Sequence, residues 1–216
     1  MMVKNPIFLA LDVSDYDDMV HLISKLHPYV HGFKLGYQLL FKYSIKKLSK
    51  AMPADRKLFL DMKLYDIPNT MYAALDSISE INPDYVTVHI QDNWNIMYNL
   101  VEHVSMEYPF TKLLGVTRLT SLSTNSAVVC NNIKTSFEVG LDGVVCPTSA
   151  LKFLNGKLKS FVPGTRLFSP QQDHALTVTP LEAIEKGADY LVIGREVINA
   201  SDPVVAIKAI LKSLND

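Results

Sequence analysis

Apolar and polar positions along the chain repeat in a fixed order. Eight short runs rich in Val, Ile, Leu and Phe, at residues 7–13, 32–37, 57–64, 85–90, 113–119, 143–147, 160–166 and 190–195, are separated by stretches with helical spacing. Several runs are almost continuously apolar, which predicts parallel strands buried on both faces. After the first run, Met19, Val20, Leu22, Ile23 and Leu26 share one helical face, with Ser14 or Asp15 available as the N-cap. Thr179-Pro180 and Asp202-Pro203 each set a capping residue before a proline at the first helical position. Residues 121–132 carry the weakest pattern; they are polar at the start and leave a mobile loop open. No linker, second core or repeat beyond the strand–helix period is visible.

Eight strands alternating with helices suit a closed (β/α)8 TIM barrel or an open doubly wound sheet. The strand number and chain length favour the barrel, as one α/β domain over residues 1–216. The first strand–helix turn, Asp12-Val13-Ser14-Asp15, also lacks the glycine fingerprint of a dinucleotide-binding fold.

Composition narrows the partners. A net charge of -1 provides no general attraction to nucleic acid or an anionic membrane, so any phosphate must be held by a local site. Apolar stretches stop well short of the ~20 residues a membrane span needs, and Lys4 running into Asp12 does not make a signal peptide. Cys130 and Cys146 lack metal-ligand spacing and predict reduced thiols in a core, consistent with a cytoplasmic protein.

The polar residues gather at the expected C-terminal strand ends, where a barrel carries its active site. Asp12 ends the first strand and Lys34 lies on the second. Asp61 and Lys63 end the third, His89 the fourth, Arg166 the seventh and Gly194-Arg195 the eighth, while Thr120 follows the fifth. Any one of them is explained by an ordinary structural role. Their shared placement on separate strands points to a site, although His89 alone reads as structural. Trp94, Met97, Leu100 and Val101 read as core or dimer packing on a helix.

Asp61 and Lys63 stand two residues apart, so a strand points both to one side. At the barrel mouth this sets a carboxylate beside an ammonium before substrate arrives. As a purely structural device such a pair adds little, because desolvation offsets the attraction. Asp66 and Asn69 fall in the loop beyond, and Pro68 suits the first turn of the next helix. Pro163-Gly164-Thr165-Arg166 and Ile193-Gly194-Arg195 join glycines, which admit an anion to the backbone, to planar guanidinium forks. Adjacent strand ends of this kind predict a phosphate site.

On these residues the chain resembles the orotidine 5′-phosphate decarboxylase family. The family's D-x-K-x-x-D-I-P-x-T signature stands here as Asp61, Lys63, Asp66, Ile67, Pro68 and Thr70. Further matches are Leu9-Ala10-Leu11-Asp12, Phe33-Lys34-Leu35-Gly36, Leu119-Thr120-Ser121, Pro163-Gly164-Thr165-Arg166 and Val192-Ile193-Gly194-Arg195. The resemblance implies a cofactor-free, metal-free conversion of orotidine 5′-monophosphate to UMP by a homodimer with shared sites. It implies that Lys63, held by Asp61 and Asp66, donates the proton to C6. Asp12, Lys34 and Asp61 would surround the reacting carboxylate and ribose. Asp66 and Thr70 would reach the neighbouring subunit's site, Thr120 and Ser121 the pyrimidine, and Arg166, Gly194 and Arg195 the phosphate.

One stretch departs from the pattern. The family's Gly-Asp-Gln after the seventh strand is Gln172-Asp173-His174 here, so either His174 replaces the phosphate-gripping glutamine or Gln171 or Gln172 takes its place. Two rivals stand beside this reading. Metal-dependent sugar-phosphate synthases and decarboxylases share the Asp-x-Lys-x-x-Asp core, but Ile67-Pro68-Asn69-Thr70 points away from them. A barrel that only binds a phosphorylated ligand would not need the charged residues of strands one to three.

Overall fold

The computed structural model describes residues 5–117, 126–154, 156, 158–168 and 178–215. Eight parallel strands close into a barrel in sequence order. They are β1 (Ile7–Ala10), β2 (Gly32–Leu35), β3 (Lys57–Leu64), β4 (Tyr85–His89), β5 (Lys112–Val116), β6 (Gly143–Val145), β7 (Lys159–Pro163) and β8 (Tyr190–Ile193). The predicted strands are all present, and several are shorter than expected. β1 stops at Ala10, β7 at Pro163 and β8 at Ile193, so Asp12, Arg166 and Gly194-Arg195 lie beyond the ladder. Leaving the ladder is what lets these residues reach over the barrel opening.

Side chains alternate across the barrel wall, as strand geometry requires, save at the C-terminal end of β3. On β1, Ile7 and Leu9 pack outward among the helices, whereas Phe8 and Ala10 point inward. The inner set begins with rings: Phe8, Phe59, Phe161 and Tyr190 join Tyr85 at the foot of the barrel, Phe161 stacking on Tyr190 with centroids 4.7 Å apart. Gly32 makes room for them, because a Cβ there would fall 2.6 Å from Phe8 Cε1 and 2.3 Å from Lys57 O. Higher in the barrel the inward side chains include the smaller Ala10, Thr87, Val116, Val145 and Val192, and above these a cavity opens.

The foot carries a device the sequence did not announce. Lys57 pairs with Asp84 at 2.6 Å, Lys112 with Asp142 at 3.1 Å and Lys159 with Asp189 at 2.6 Å. In each case the other carboxylate oxygen accepts the amide of the residue after the lysine: Leu58, Leu113 or Ser160. The lysine opens an odd-numbered strand and the aspartate precedes the next even one. In the first pair, Pro6 and His31 occupy the equivalent register positions. The expectation of no repeat beyond one strand and helix is therefore corrected, because the clamp recurs every two strands.

The helical layer begins with α1 (Tyr16–Leu26), capped by Asp15, whose carboxylate accepts from Asp17 N, with Met19, Leu22, Ile23 and Leu26 buried. Then follow α2 (Tyr37–Leu40), α3 (Ile45–Ser49), α4 (Pro68–Ser79), α5 (Trp94–Glu107), α6 (Ser126–Glu138), α7 (Pro180–Glu185), α8 (Arg195–Ile198) and α9 (Pro203–Ser213). A 3-10 segment, Thr148–Phe153, stands between β6 and β7. The proline signals hold: α7 opens with a capping box of Thr179 and Glu182, and Asp202 caps α9. Within the stretch read as weakly patterned, residues 126–132 belong to α6, where Val129 and Ile133 are buried. On α5, Met97 and Leu100 are buried, whereas Trp94 is partly exposed and stacks on Tyr98. Both cysteines are free; Cys146 is buried, but Cys130 is exposed rather than in the core. No helix among the described residues is long and apolar enough to cross a membrane.

Candidate active site

A cavity of about 250 Å³ opens at the C-terminal end of the barrel, and Asp12, Lys34, Asp61, Lys63, Arg166, Gly194 and Arg195 all line it. The charged residues form a chain of alternating sign. Lys34 Nζ lies 3.3 Å from Asp12 Oδ1 and 3.2 Å from Asp61 Oδ2, and Lys63 Nζ lies 2.7 Å from the same Asp61 oxygen. Parity explains the first three members. Lys34 and Asp61 are inward positions of β2 and β3, and Asp12 continues the inward series Phe8, Ala10 beyond β1.

Lys63 arrives by a different route. Between Leu60 and Leu64 the β3–β4 register shifts: four steps on β3 face two on β4, from Val86 to Val88. Lys63 takes φ of 47°, in the left-handed region, which costs an L residue about 1–2 kcal/mol. Thr87, fully buried on β4, ties the bulge together. Its hydroxyl accepts Lys63 N–H at 2.8 Å and donates to Asp61 Oδ1 at 3.0 Å. The expected convergence of Asp61 and Lys63 thus occurs, through a strained turn rather than a flat strand. Such strain, held by its surroundings, is characteristic of functional positions.

Burial pushes the Asp61 carboxyl upward, but the Lys34 and Lys63 charges and hydrogen bonds outweigh it and hold the group below its ordinary value. The carboxylate therefore stays ionised although its side chain is only 13% exposed. Burial depresses His89, and the Lys63 charge adds to the effect. His89 faces the Tyr65 ring at 6.0 Å and is not part of the cavity lining, in keeping with a structural role.

Next to the charged chain, the loops after β7 and β8 complete the cavity. Pro163, Gly164, Thr165 and Arg166 line it beside Gly194, Arg195 and Glu196. A Cβ at Gly194 would approach Ala10 Cβ to 3.1 Å and Asp12 Oδ2 to 3.4 Å, so glycine keeps the β8 end against β1. Glu196 Oε1 accepts the amides of Leu167 at 2.7 Å and Phe168 at 2.5 Å, fastening one loop to the other. Thr165 Oγ1 and Glu196 Oε2 are buried without a hydrogen-bond partner among the described residues. Two polar atoms kept unsatisfied beside a cavity are consistent with a site built for a polar ligand.

Asp66 and Thr70 sit apart from this cavity. Both are exposed, and Asp66 Oδ1 accepts Ile67 N–H at 2.7 Å in the turn that leads to Pro68 and α4. Within this chain, Asp61 meets Lys63 and Asp66 forms no ion pair with it. Thr120, Ser121, Gln171, Gln172 and His174 lie outside the described residues. Thr87 and Glu196 were missed by sequence reasoning. Thr87 carried a signal, since it shares the inward parity of Tyr85 and His89; Glu196 had none beyond its place after Arg195.

The family model for "Orotidine 5'-phosphate decarboxylase / HUMPS family" matches residues 5–210. A curated orotidine 5′-phosphate decarboxylase from Ehrlichia chaffeensis is 34% identical over 230 residues, covering 99% of both chains. Its counterpart from Dictyoglomus thermophilum is also 34% identical, covering 98% of this chain and 96% of the relative. Among solved structures, orotidine 5′-phosphate decarboxylase from Lactobacillus acidophilus superposes with a TM-score of 0.79 at 28% identity, covering 99% of this chain and 100% of that one. Barrel, charged strand ends and full-length similarity converge: this chain belongs to the orotidine 5′-phosphate decarboxylase / HUMPS family.

Proposed function

We propose that this protein converts orotidine 5′-monophosphate to UMP and CO2 without cofactor or metal, in the cytoplasmic synthesis of pyrimidines. The observation that carries the reading is the alternating chain Asp12, Lys34, Asp61, Lys63 lining one cavity together with two Gly/Arg loops. Phosphate would bind at Arg166, Gly194 and Arg195, which leaves the reacting ring to meet the lysines. Thr120, Ser121 and His174, or Gln171 or Gln172 in its place, would complete the contacts to base and phosphate.

The C6–carboxylate bond breaks, CO2 departs and its electron pair remains on C6. The Lys63 ammonium stabilises that charge and transfers its proton to C6, and solvent reprotonates the amine. Since the ammonium is fixed beforehand by Asp61, little reorganisation accompanies charge development. Grip on the distant phosphate would supply binding energy for ordering the ring.

A homodimer with shared sites accounts for Asp66 and Thr70. Both stand exposed beside Tyr65 and Ile67, which are 69% and 65% exposed in the single chain, as expected for an interface.

The test is the absorbance change of orotidine 5′-monophosphate with purified protein, with and without excess EDTA. Conversion to UMP in both cuvettes is the expected result. Conversion abolished by chelator, or absent from folded protein, would move the assignment to a metal-dependent sugar-phosphate reaction or to a barrel that only binds.

A further inference from the structure

The peptide group between Met62 and Lys63 is held from both sides. Tyr37 Oη donates to its carbonyl, Met62 O, at 2.6 Å, and its N–H donates to Thr87 Oγ1 at 2.8 Å. The two hydroxyls come from opposite neighbours of β3, namely the turn beyond β2 and the inward face of β4. In a trans peptide the C=O and N–H point in opposite directions, so anchoring both fixes the plane. The orientation of that plane is what sets φ of Lys63 at 47°. A lysine released from these anchors would favour a right-handed or extended backbone. Its ammonium would then leave Asp61.

Tyr37 makes a second contact with the same residue. Its ring centroid lies 5.5 Å from Lys63 Nζ, within the range of a cation–π attraction. The ring is itself braced by Phe41, stacked at 5.2 Å and 22°. Burial raises the phenol above its ordinary value and the Asp61 charge adds to the shift, so the hydroxyl remains a donor at neutral pH.

We propose that Tyr37 is a positioning residue for Lys63: its hydroxyl holds the Met62–Lys63 peptide in the left-handed turn, and its ring face seats the ammonium beside Asp61. The inference rests on Lys63 acting as the proton donor. Thr87 cannot isolate the effect, because its hydroxyl also touches Asp61. Tyr37 has no such second role among the described residues, and Tyr37→Phe removes the hydrogen bond while keeping the ring.

Turnover of orotidine 5′-monophosphate is measured for Tyr37→Phe, Tyr37→Leu and Lys63→Ala, alongside urea unfolding. Loss of one hydrogen bond predicts kcat about tenfold lower in Tyr37→Phe, with KM within about twofold of the parent and the unfolding midpoint retained. Tyr37→Leu, without ring or hydroxyl, falls further. Parental kcat in Tyr37→Phe, with Lys63→Ala inactive, overturns the positioning role. So does a fall in kcat matched by a rise in KM or by a lost unfolding midpoint, since Tyr37 would then be merely structural. An active Lys63→Ala overturns the proton-donor reading itself, whatever the tyrosine variants do.

Discussion

Asp61 and Lys63 are joined twice, once by a 2.7 Å ion pair between their side chains and once through the Thr87 hydroxyl, which bridges Asp61 Oδ1 and Lys63 N. Both carboxylate oxygens are thus engaged by protein atoms, Oδ2 by two ammonium groups and Oδ1 by a hydroxyl. Such a pair is assembled before any substrate enters. A flat strand would have given only the side-chain contact; the bulge supplies the second link.

The double link predicts the behaviour of Thr87→Val, which keeps shape and removes the hydroxyl. Lys63 N–H and Asp61 Oδ1 lose a partner together, at a cost of about 1–3 kcal/mol in stability. Turnover should fall by about tenfold or more, because both members of the pair are loosened. Urea unfolding and kcat measured on the same preparation check the two expectations.

Acid should act on the array through Asp61. Its folded value is held below the ordinary 3.8, so its contribution to stability is fully present above about pH 4 and is lost as pH falls through the lower folded value. Asp61→Asn removes that dependence. Unfolding midpoints followed from pH 5 to pH 2 should fall less steeply in the variant; parallel curves would show that Asp61 carries no linked stability.

At the opposite end of the barrel, Asp142→Ala should separate folding from chemistry. The carboxylate accepts Leu113 N–H at 3.0 Å and pairs with Lys112 at 3.1 Å. Its side chain is 35% exposed, so the ion pair adds little and the backbone hydrogen bond dominates, for a loss of about 1–2 kcal/mol. Steady-state kinetics should remain at the parental level, since neither Asp142 nor its partners Lys112 and Leu113 line the cavity.

The proposed sharing of sites between subunits makes a separate prediction. Mixing inactive Lys63→Ala with an impaired Asp66→Asn variant should restore activity as subunits exchange, because one site of each hybrid dimer regains both residues. Exchange verified by a tagged subunit without recovery would place Asp66 in the service of its own chain.

Much of this was legible in the sequence. Eight apolar runs gave the strand number, prolines after Thr179 and Asp202 gave helix starts, and strand-end charges gave Asp12, Lys34, Asp61 and Lys63. What stayed hidden depends on register between strands distant in sequence. Thr87 faces Lys63 only because two residues of β3 are bulged against β4, and no local pattern announces a left-handed lysine. Tyr37 stood as the last residue of the second apolar run, with nothing local to show that its hydroxyl reaches Met62 O. The Lys–Asp clamps escaped for the same reason, since their partners are 27 to 30 residues apart.

Those clamps also divide the cylinder into staves. Lys57–Asp84, Lys112–Asp142 and Lys159–Asp189 fasten β3 to β4, β5 to β6 and β7 to β8. Among the described residues no matching clamp crosses the seams at β2–β3, β4–β5 or β6–β7. A chain divided between Glu107 and Lys112 therefore yields two pieces that each keep their fastenings whole. A cut between β5 and β6 parts Lys112 from Asp142 and obliges the halves to find each other first. The joinery of the barrel is two strands wide, and half-barrels parted at a seam are the fragments best equipped to meet again as one molecule.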